Sequence, residues 1–349
     1  MKKAFSLLAL IGLAFAALFA VPAFAALPTL AAVPLDLSGG LADLPMLFMG
    51  GILITPAALT ALQTAFNAAF KMGMGATKPT WPLIAMQINS TTKTETYGWL
   101  KELPGMREWV GQRVINNLES QGASLTNKNY EHTVGVDRND ILDDQLGIYT
   151  NALQMQGETV GLHPNELVWG LLPTGFATNG FDGQYFFDTD HVGYTAAGAE
   201  ISWSNTGGGS GSPWVLADLS RSFMKPLIFQ ERQKAEFVSL TDPTGRNVFM
   251  ERQFLYGADA RYVAGFGFHQ LAYGSKATLD ATTFAAGRLA METQRRPDGS
   301  PLPVKPTHLI TGPTNRSAAE ALLTVQYLAG GANNPYYKAV ELVIDPSLG

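Results

Sequence analysis

The strongest constraint on the fold is a long stretch of helical period from Asp140 to about Leu172, standing between two blocks rich in β-branched and aromatic residues. Leu146, Tyr149, Leu153 and Val160 recur at helical spacing, and Leu167, Val168 and Leu171 continue the apolar face. Asp143 and Asp144 suit the positive end of a helix dipole. Being adjacent, they point about a hundred degrees apart on a helix and make a poor acid–base pair. Pro164 lacks a backbone donor, so a kink or a fresh start is expected there. Pro173 and Gly175 close the segment.

Upstream, Thr55 and Pro56 supply an N-cap and a first-turn proline. Leu59, Leu62, Phe66 and Phe70 then predict an amphipathic helix to about Lys71, ended by Gly73 and Gly75. Periodicity alone does not say whether its apolar face packs on its own core or on another chain. From Trp81 to Val136 the pattern favours strands and turns, with Arg107–Leu118 as a possible short helix. Downstream, Thr195–Pro213 contains the run Thr206–Ser212 (TGGGSGS), which reads as a flexible loop. It lacks the GK[ST] ending of a phosphate cradle. Pro226–Phe229, Glu236–Leu240 and Val248–Met250 read as strands, the last two joined by a turn at Asp242–Gly245. In Gly265–Phe268 the glycines face opposite to the phenylalanines, as in a strand packed closely on one side. Helices are expected at Thr278–Arg295 and Asn315–Leu328, and strands at Val304–Thr311 and Ala339–Ile344.

The amino terminus differs from the rest. Lys2 and Lys3 precede an apolar run to about Ala20, and Ala23-Phe24-Ala25 has the small-x-small form of a cleavage site. Residues 1–25 therefore look like a secretory leader, and 26–51 like a linker rich in Ala, Pro, Leu and Gly. Three accounts compete: a start assigned upstream of Met46 or Met49, a leader fused to the chain, or an arm kept inside an assembly. A leader in use would fit a periplasmic binding protein or hydrolase. The expectation adopted is that residues 1–51 are dispensable.

Hydrophobic residues make up 46% of the 349 and charged residues 15%, ample for a core and low for a large solvated surface. The net charge of −5 argues against general nucleic-acid binding, which needs clustered Lys and Arg. With no cysteine, disulfides, thiolate metal sites and Cys nucleophiles are excluded. Asp182, Asp188, Asp190 and His191 form the acidic cluster beside a histidine that most invites a hard cation. No EF-hand glycine and no second ligand cluster accompany it, so a hydrogen-bonding role is expected and no metal. His132, His163, His269 and His308 are scattered singly, where backbone partners usually satisfy them. No G-x-S-x-G elbow or H-E-x-x-H helix is present. Arg232, Arg246, Arg252 and Arg261 are suited to interface carboxylates such as Glu102 or Glu108 of a neighbour. No catalytic, cofactor-binding or metal residue is therefore assigned.

The run Ser90–Val114 (STTKTETYGWLKELPGMREWVGQRV) is rich in Gly, Thr and Trp yet holds no His and no clustered carboxylates. It reads as a surface for touching protein, with Trp99 and Trp109 as interface anchors or buried residues of the subunit. This run, with Tyr130–Gly147, Asp182–His191, Lys225–Arg232, Phe254–Arg261, Gly265–Tyr273 and Pro306–Thr311, resembles the major head (capsid) subunit of Mu-like phages and prophages. The resemblance covers roughly Ile52 to the C-terminus. It implies the α+β capsid fold first seen in the phage Hong Kong 97: an N-terminal arm (52–85), an E-loop region (86–136), and peripheral and axial domains (137–349) with a spine helix at about 140–172. It also implies a virion protein assembled in the bacterial cytoplasm as hexamers and pentamers around double-stranded DNA. Implied partners are a scaffold or maturation protease and a portal, with no cofactor, no catalysis and no membrane. A domesticated shell enclosing other cargo is the alternative within that resemblance.

Overall fold

The computed structural model describes residues 54–98, 123–143 and 146–349. Residues 1–51, Trp99, Trp109, Arg107–Leu118 and Asp144 lie outside them. Helix α1 (Pro56–Ala76) begins as its sequence predicts, with Thr55 Oγ1 accepting from the Ala58 N–H. It does not stop at Lys71. Gly73 is an interior residue of the helix, placed where α1 crosses the long helix.

A short helix, α2 (Arg138–Leu142), precedes the long one, and Asp143 is its C-cap. The long helix α3 (Leu146–Trp169) has no acidic residue in its first turn, so Asp143 does not serve it there. It runs through Pro164 without a fresh start, and the chain restarts only at α4 (Leu171–Thr174), after Gly170. Tertiary contacts hold this stretch against the proline. Asn165 Oδ1 accepts from the backbone of Thr80 and Trp81 at 2.9 and 2.8 Å, and Trp169 Nε1 donates to Thr80 Oγ1. Val168, Trp169 and Leu172 are buried.

Helices α1 and α3 meet backbone to backbone. A Cβ added at Gly73 would lie 1.9 Å from the Gln154 carbonyl oxygen, and one at Gly157 would lie 2.0 Å from that of Phe70. Their shared apolar face buries Leu59, Leu62, Phe66 and Leu153 against Val136, Phe254 and Tyr256, with the Phe66 ring edge-on to Tyr256.

Those last three residues belong to a four-stranded sheet in the order β1 (Ala85–Asn89), β9 (Leu227–Leu240), β10 (Gln253–Phe266), β4 (Lys128–Asp137). β1 runs parallel to β9, and the other pairs are antiparallel. Where two strands were expected, β9 is one strand of 14 residues. Its first four residues are fully buried, and the rest alternate between half-buried and exposed. The turn at Asp242–Gly245 forms, closed by Gly245 N–H to Asp242 O at 2.9 Å. Val248–Met250 is not a strand. It lies in helix α5 (Arg246–Glu251), whose Val248 turns into the core beside Phe254.

A five-stranded sheet has the order β13 (Glu341–Ile344), β12 (His308–Thr311), β8 (Trp214–Ala217), β11 (Ala272–Lys276), β7 (Thr206–Gly209). Every residue of β8 is buried because the sheet is covered on both faces. Trp214 and Leu216 pack with Phe284 and Met291 of α6 (Ala281–Glu292) and Leu322 and Leu323 of α7 (Arg316–Leu323). Val215 and Ala217 pack with Val168, Trp169, Phe186 and Phe187. The glycine run expected as a loop supplies β7, paired parallel to β11. At Gly209, with φ at 91°, a Cβ would lie 2.3 Å from the Ala277 nitrogen and 2.4 Å from the Lys276 carbonyl carbon, so a glycine there lets that strand close up. Two hairpins complete the described chain: β2 (Thr94–Tyr97) with β3 (Ala123–Thr126), and β5 (His191–Tyr194) with β6 (Glu200–Trp203). No helix among the described residues is long and apolar enough to cross a membrane.

The helix crossing gives a direct test. Gly73→Ala and Gly157→Ala each force backbone apart and should cost about 3 kcal/mol in chemical denaturation. Gly75→Ala, with nothing within 4 Å of the added methyl, should instead stabilise by about 0.5 kcal/mol through helix propensity. Equal effects at all three positions would refute the close crossing.

Candidate functional site

The acidic cluster divides in the folded chain. Asp188 accepts from the backbone of Tyr185 and Thr189, and Asp190 accepts from Gln184 Nε2. Asp188 thus steadies the local backbone, and Asp190 is held by a side chain at the surface. Asp182 and His191 do meet, at 2.6 Å between Oδ2 and Nδ1. His269, isolated in the sequence, joins them: its Nδ1 lies 3.6 Å from the same carboxylate oxygen. His269 is not in a strand but in the 3₁₀ turn His269–Leu271, on the connection from β10 to β11.

The two imidazoles stack, with centroids 3.9 Å apart and planes 12° apart, and Phe181 stacks on His269 at 4.9 Å. Both histidines are buried. Among the described residues, His191 Nε2 and His269 Nδ1 meet no hydrogen-bond partner. Burial, and then the neighbouring His191, push the His269 imidazole down to about 3, with Asp182 pulling the other way. Burial opposes the Asp182 carboxylate, but the His191 hydrogen bond and the charge that His269 and His191 can carry outweigh it. The net result is a carboxyl below its usual range. The ionised carboxylate accepts from His191 Nδ1–H, which orients that ring.

These three side chains offer ligand atoms within 4.8 Å of one another, a span one ion can bridge. The stacking opposes it. A nitrogen lone pair lies in its ring plane, and rings 12° from parallel aim theirs side by side instead of at one point. The cluster is better suited to fastening chain to chain. It joins the segment after α4 to the link between the two sheets, beside a cleft of about 600 Å³ bordered by Trp203, Gln294 and Arg296.

The other histidines are satisfied mainly by side chains, not backbone. His132 faces Gln156, His163 bonds the Tyr262 hydroxyl at 2.7 Å, and His308 lies 3.1 Å from Glu341. Arg232 Nη1 reaches the Ser90 carbonyl of its own chain. Arg246 and Arg252 are exposed, and Glu102 and Glu108 lie outside the described residues.

The run beginning at Ser90 is described as far as Gly98, and this flank is firmly anchored. Glu95 Oε1 accepts from Ser90 Oγ and from the backbone of Thr91 and Thr92. The two backbone donors, then Ser90, bring its carboxyl down to about 2. The Tyr97 hydroxyl donates to Gln230 Oε1, Gln230 donates to Asn127 Oδ1, and Asn127 donates to Ser90 Oγ. The buried network ties both ends of the β2/β3 hairpin to β9.

The His269 environment predicts acid sensitivity. Its folded-state value lies below the unfolded 6.5, so the unfolded chain takes up the proton first. The stability this group contributes is full above pH 6.5 and is lost as pH falls toward 3, with a slope of roughly 1.4 kcal/mol per pH unit. His269→Phe keeps a flat ring in the stack and removes the titration. Unfolding free energies measured from pH 7 to pH 4.5 should fall more steeply in the wild type than in the variant. Parallel curves would show that His269 does not resist protonation.

Comparison with known proteins bears on what this architecture is for. Residues 59–348 match the model of the Mu-like prophage major head subunit gpT family. The chain is 40% identical to the major capsid protein of Escherichia phage Mu over 302 residues, covering 84% of this chain and 99% of that one. It is 38% identical to the Mu-like prophage FluMu major head subunit of Haemophilus influenzae, covering 77% and 90% respectively. The subunit in the procapsid of bacteriophage JBD30 superposes with a TM-score of 0.75 at 42% identity, covering 84% of this chain and all of that one. The subunit of the JBD30 capsid superposes at 0.66 with 32% identity. The paired sheets and the long helix are the architecture shared with these subunits. The chain belongs to the Mu-like prophage major head subunit family, and is a structural major capsid protein and not an enzyme.

Proposed function

We propose that this chain is the repeating unit of an icosahedral head, in which hexamers and pentamers of it enclose double-stranded DNA. The observation that carries this reading is the likeness to the JBD30 procapsid subunit over that chain's entire length. In this reading residues 52–85 are the N-terminal arm, 86–136 hold the E-loop that reaches a neighbour, and 137–349 make the peripheral and axial domains with α3 as the spine. The anchored base of β2/β3 supports the E-loop assignment, because a loop that must reach outward needs a fixed origin. DNA is held by confinement without sequence-specific contacts, in keeping with the net charge of −5. Assembly takes place in the host cytoplasm, with a scaffold or maturation protease and a portal as partners.

Electron microscopy of the purified chain tests the core of this. Shells or capsomer rings are expected, and heads recovered from cells should protect DNA from nuclease. A uniform population of monomers would overturn the reading. Within it, the double change Trp99→Ala and Trp109→Ala should leave circular dichroism unchanged and suppress shells. Each interface aromatic is worth roughly 2 kcal/mol, and the loss repeats at every contact. Loss of secondary structure instead would place these tryptophans in the core.

We also propose that the Asp182–His191–His269 cluster is structural and holds no ion. Elemental analysis of native particles should find less than a stoichiometric divalent metal. About one ion per subunit, lost on Asp182→Asn, would overturn this.

A further inference from the structure

The cleft beside the histidine pair is walled on one side by the β5/β6 hairpin and on the other by the chain that follows α6. The two walls are fastened to each other. A Cβ at Gly198 would lie 2.6 Å from the Pro297 carbonyl oxygen, and one at Gly299 would lie 2.3 Å from that of Ala196. The space between them, about 600 Å³, is of the size that small-molecule sites have. Its apolar lining comes from Phe181, Val192, Ile201, Trp203 and Leu302. Trp203 is braced by its Nε1, which donates to the Ala290 carbonyl at 3.1 Å.

The polar groups of this lining are incompletely matched. Arg295 and Arg296 both border the cleft, and among the described residues neither forms an ion pair. Their hydrogen bonds run through Nη1 to Gly299 O, Ser300 Oγ and Pro301 O. Among the described residues, the buried Arg296 Nε meets no acceptor and the buried Gln270 Oε1 meets no donor. Of the two carboxylates at the cleft, Asp182 is engaged by His191 and Glu200 is exposed. A buried polar atom left unmet is costly, and two of them in one apolar cleft call for a partner.

We propose that this cleft binds a small aromatic carboxylic acid bearing a ring N–H, with its carboxylate on Arg295 and Arg296, its ring on Trp203 and its N–H on Gln270 Oε1. A guanidinium fork suits a planar carboxylate. The aromatic and aliphatic lining rewards a flat ring, and the unmet amide oxygen selects a ligand that can donate. A neutral hydrocarbon would leave Arg296 and Gln270 unmet, and a bare inorganic anion would leave the apolar lining uncovered. The bound acid bridges the hairpin to the loop after α6 and stabilises the subunit by linkage. The site lies within one chain, so it stands apart from the reading that the chain builds shells.

Indole-3-acetate is the probe. Titrated calorimetrically into the full chain, it should bind and should slow amide hydrogen exchange in residues 192–203 and 293–302. Indole-3-acetamide, which keeps the shape and loses the charge, should bind about ten-fold more weakly, and so should 1-methylindole-3-acetate, which loses the donor. Arg296→Gln should weaken the acid by about ten-fold and leave the amide's affinity unchanged, a contrast that a merely loosened fold would not produce. Ile201 is 47% exposed, so Ile201→Glu leaves the fold intact, sets a carboxylate in the cleft and should likewise weaken the acid more than the amide. No binding of indole-3-acetate, equal affinities for acid and amide, or protection confined to other segments would each overturn the proposal.

Discussion

The pairing of β9 with β10 is the interaction on which the rest of the subunit depends. Each strand is 14 residues long, roughly 46 Å at about 3.3 Å per residue. One end lies in the core shared with the five-stranded sheet, and the other runs out to an exposed tip. Each of the two strands also leads directly into the five-stranded sheet, through residues 218–226 and 267–271. Helices α1 and α3 pack along this ladder, and the Gln230 network moors the β2/β3 hairpin to it. The burial pattern of β9 records the change, from four buried residues to strict alternation, as a two-sided environment gives way to a one-sided one.

Much of this was legible from local sequence. Thr55-Pro56, the helical period after Leu146, the Asp242–Gly245 turn and the helix near 281–292 are set by neighbours within a few residues, and those elements form where expected. What was misread depends on distant partners. Gly73 looks like a terminator until Gln154 is known to lie against it. Gly207–Gly209 looks like a loop until β11 is beside it. Val248–Met250 is apolar enough for a strand, but it follows a closed turn at once and needs to bury only Val248.

The candidate site shows the same limit more sharply. Asp182 and His191 stand close in sequence within the four-residue cluster that composition singles out, and only these two of the four meet in the fold. His269 is remote in the chain, and no spacing rule connects it to them. The available signal was that Asp182–His191 and Gly265–Tyr273 both stood among the segments carrying the family resemblance. The outcome also separates chemistry from architecture. Two histidines and a carboxylate in contact would suggest catalysis in a cleft, whereas ring stacking and burial suit this trio better to joining the segment after α4 to the link between the sheets.

The glycine strand β7 has a consequence for how such a subunit behaves in a crowd. It is an edge of the five-stranded sheet, and an open edge invites another chain to extend the ladder into a fibre. Here the edge carries three consecutive glycines, with φ values of 62° and 91° at Gly208 and Gly209. An extended partner cannot track that backbone, and no row of side chains is present to grip one. A protein made in many copies, all meant to join one another, has most to lose from joining by the wrong route. A bent, bare margin keeps polymerisation out of the sheet and leaves it to the surfaces shaped for closure.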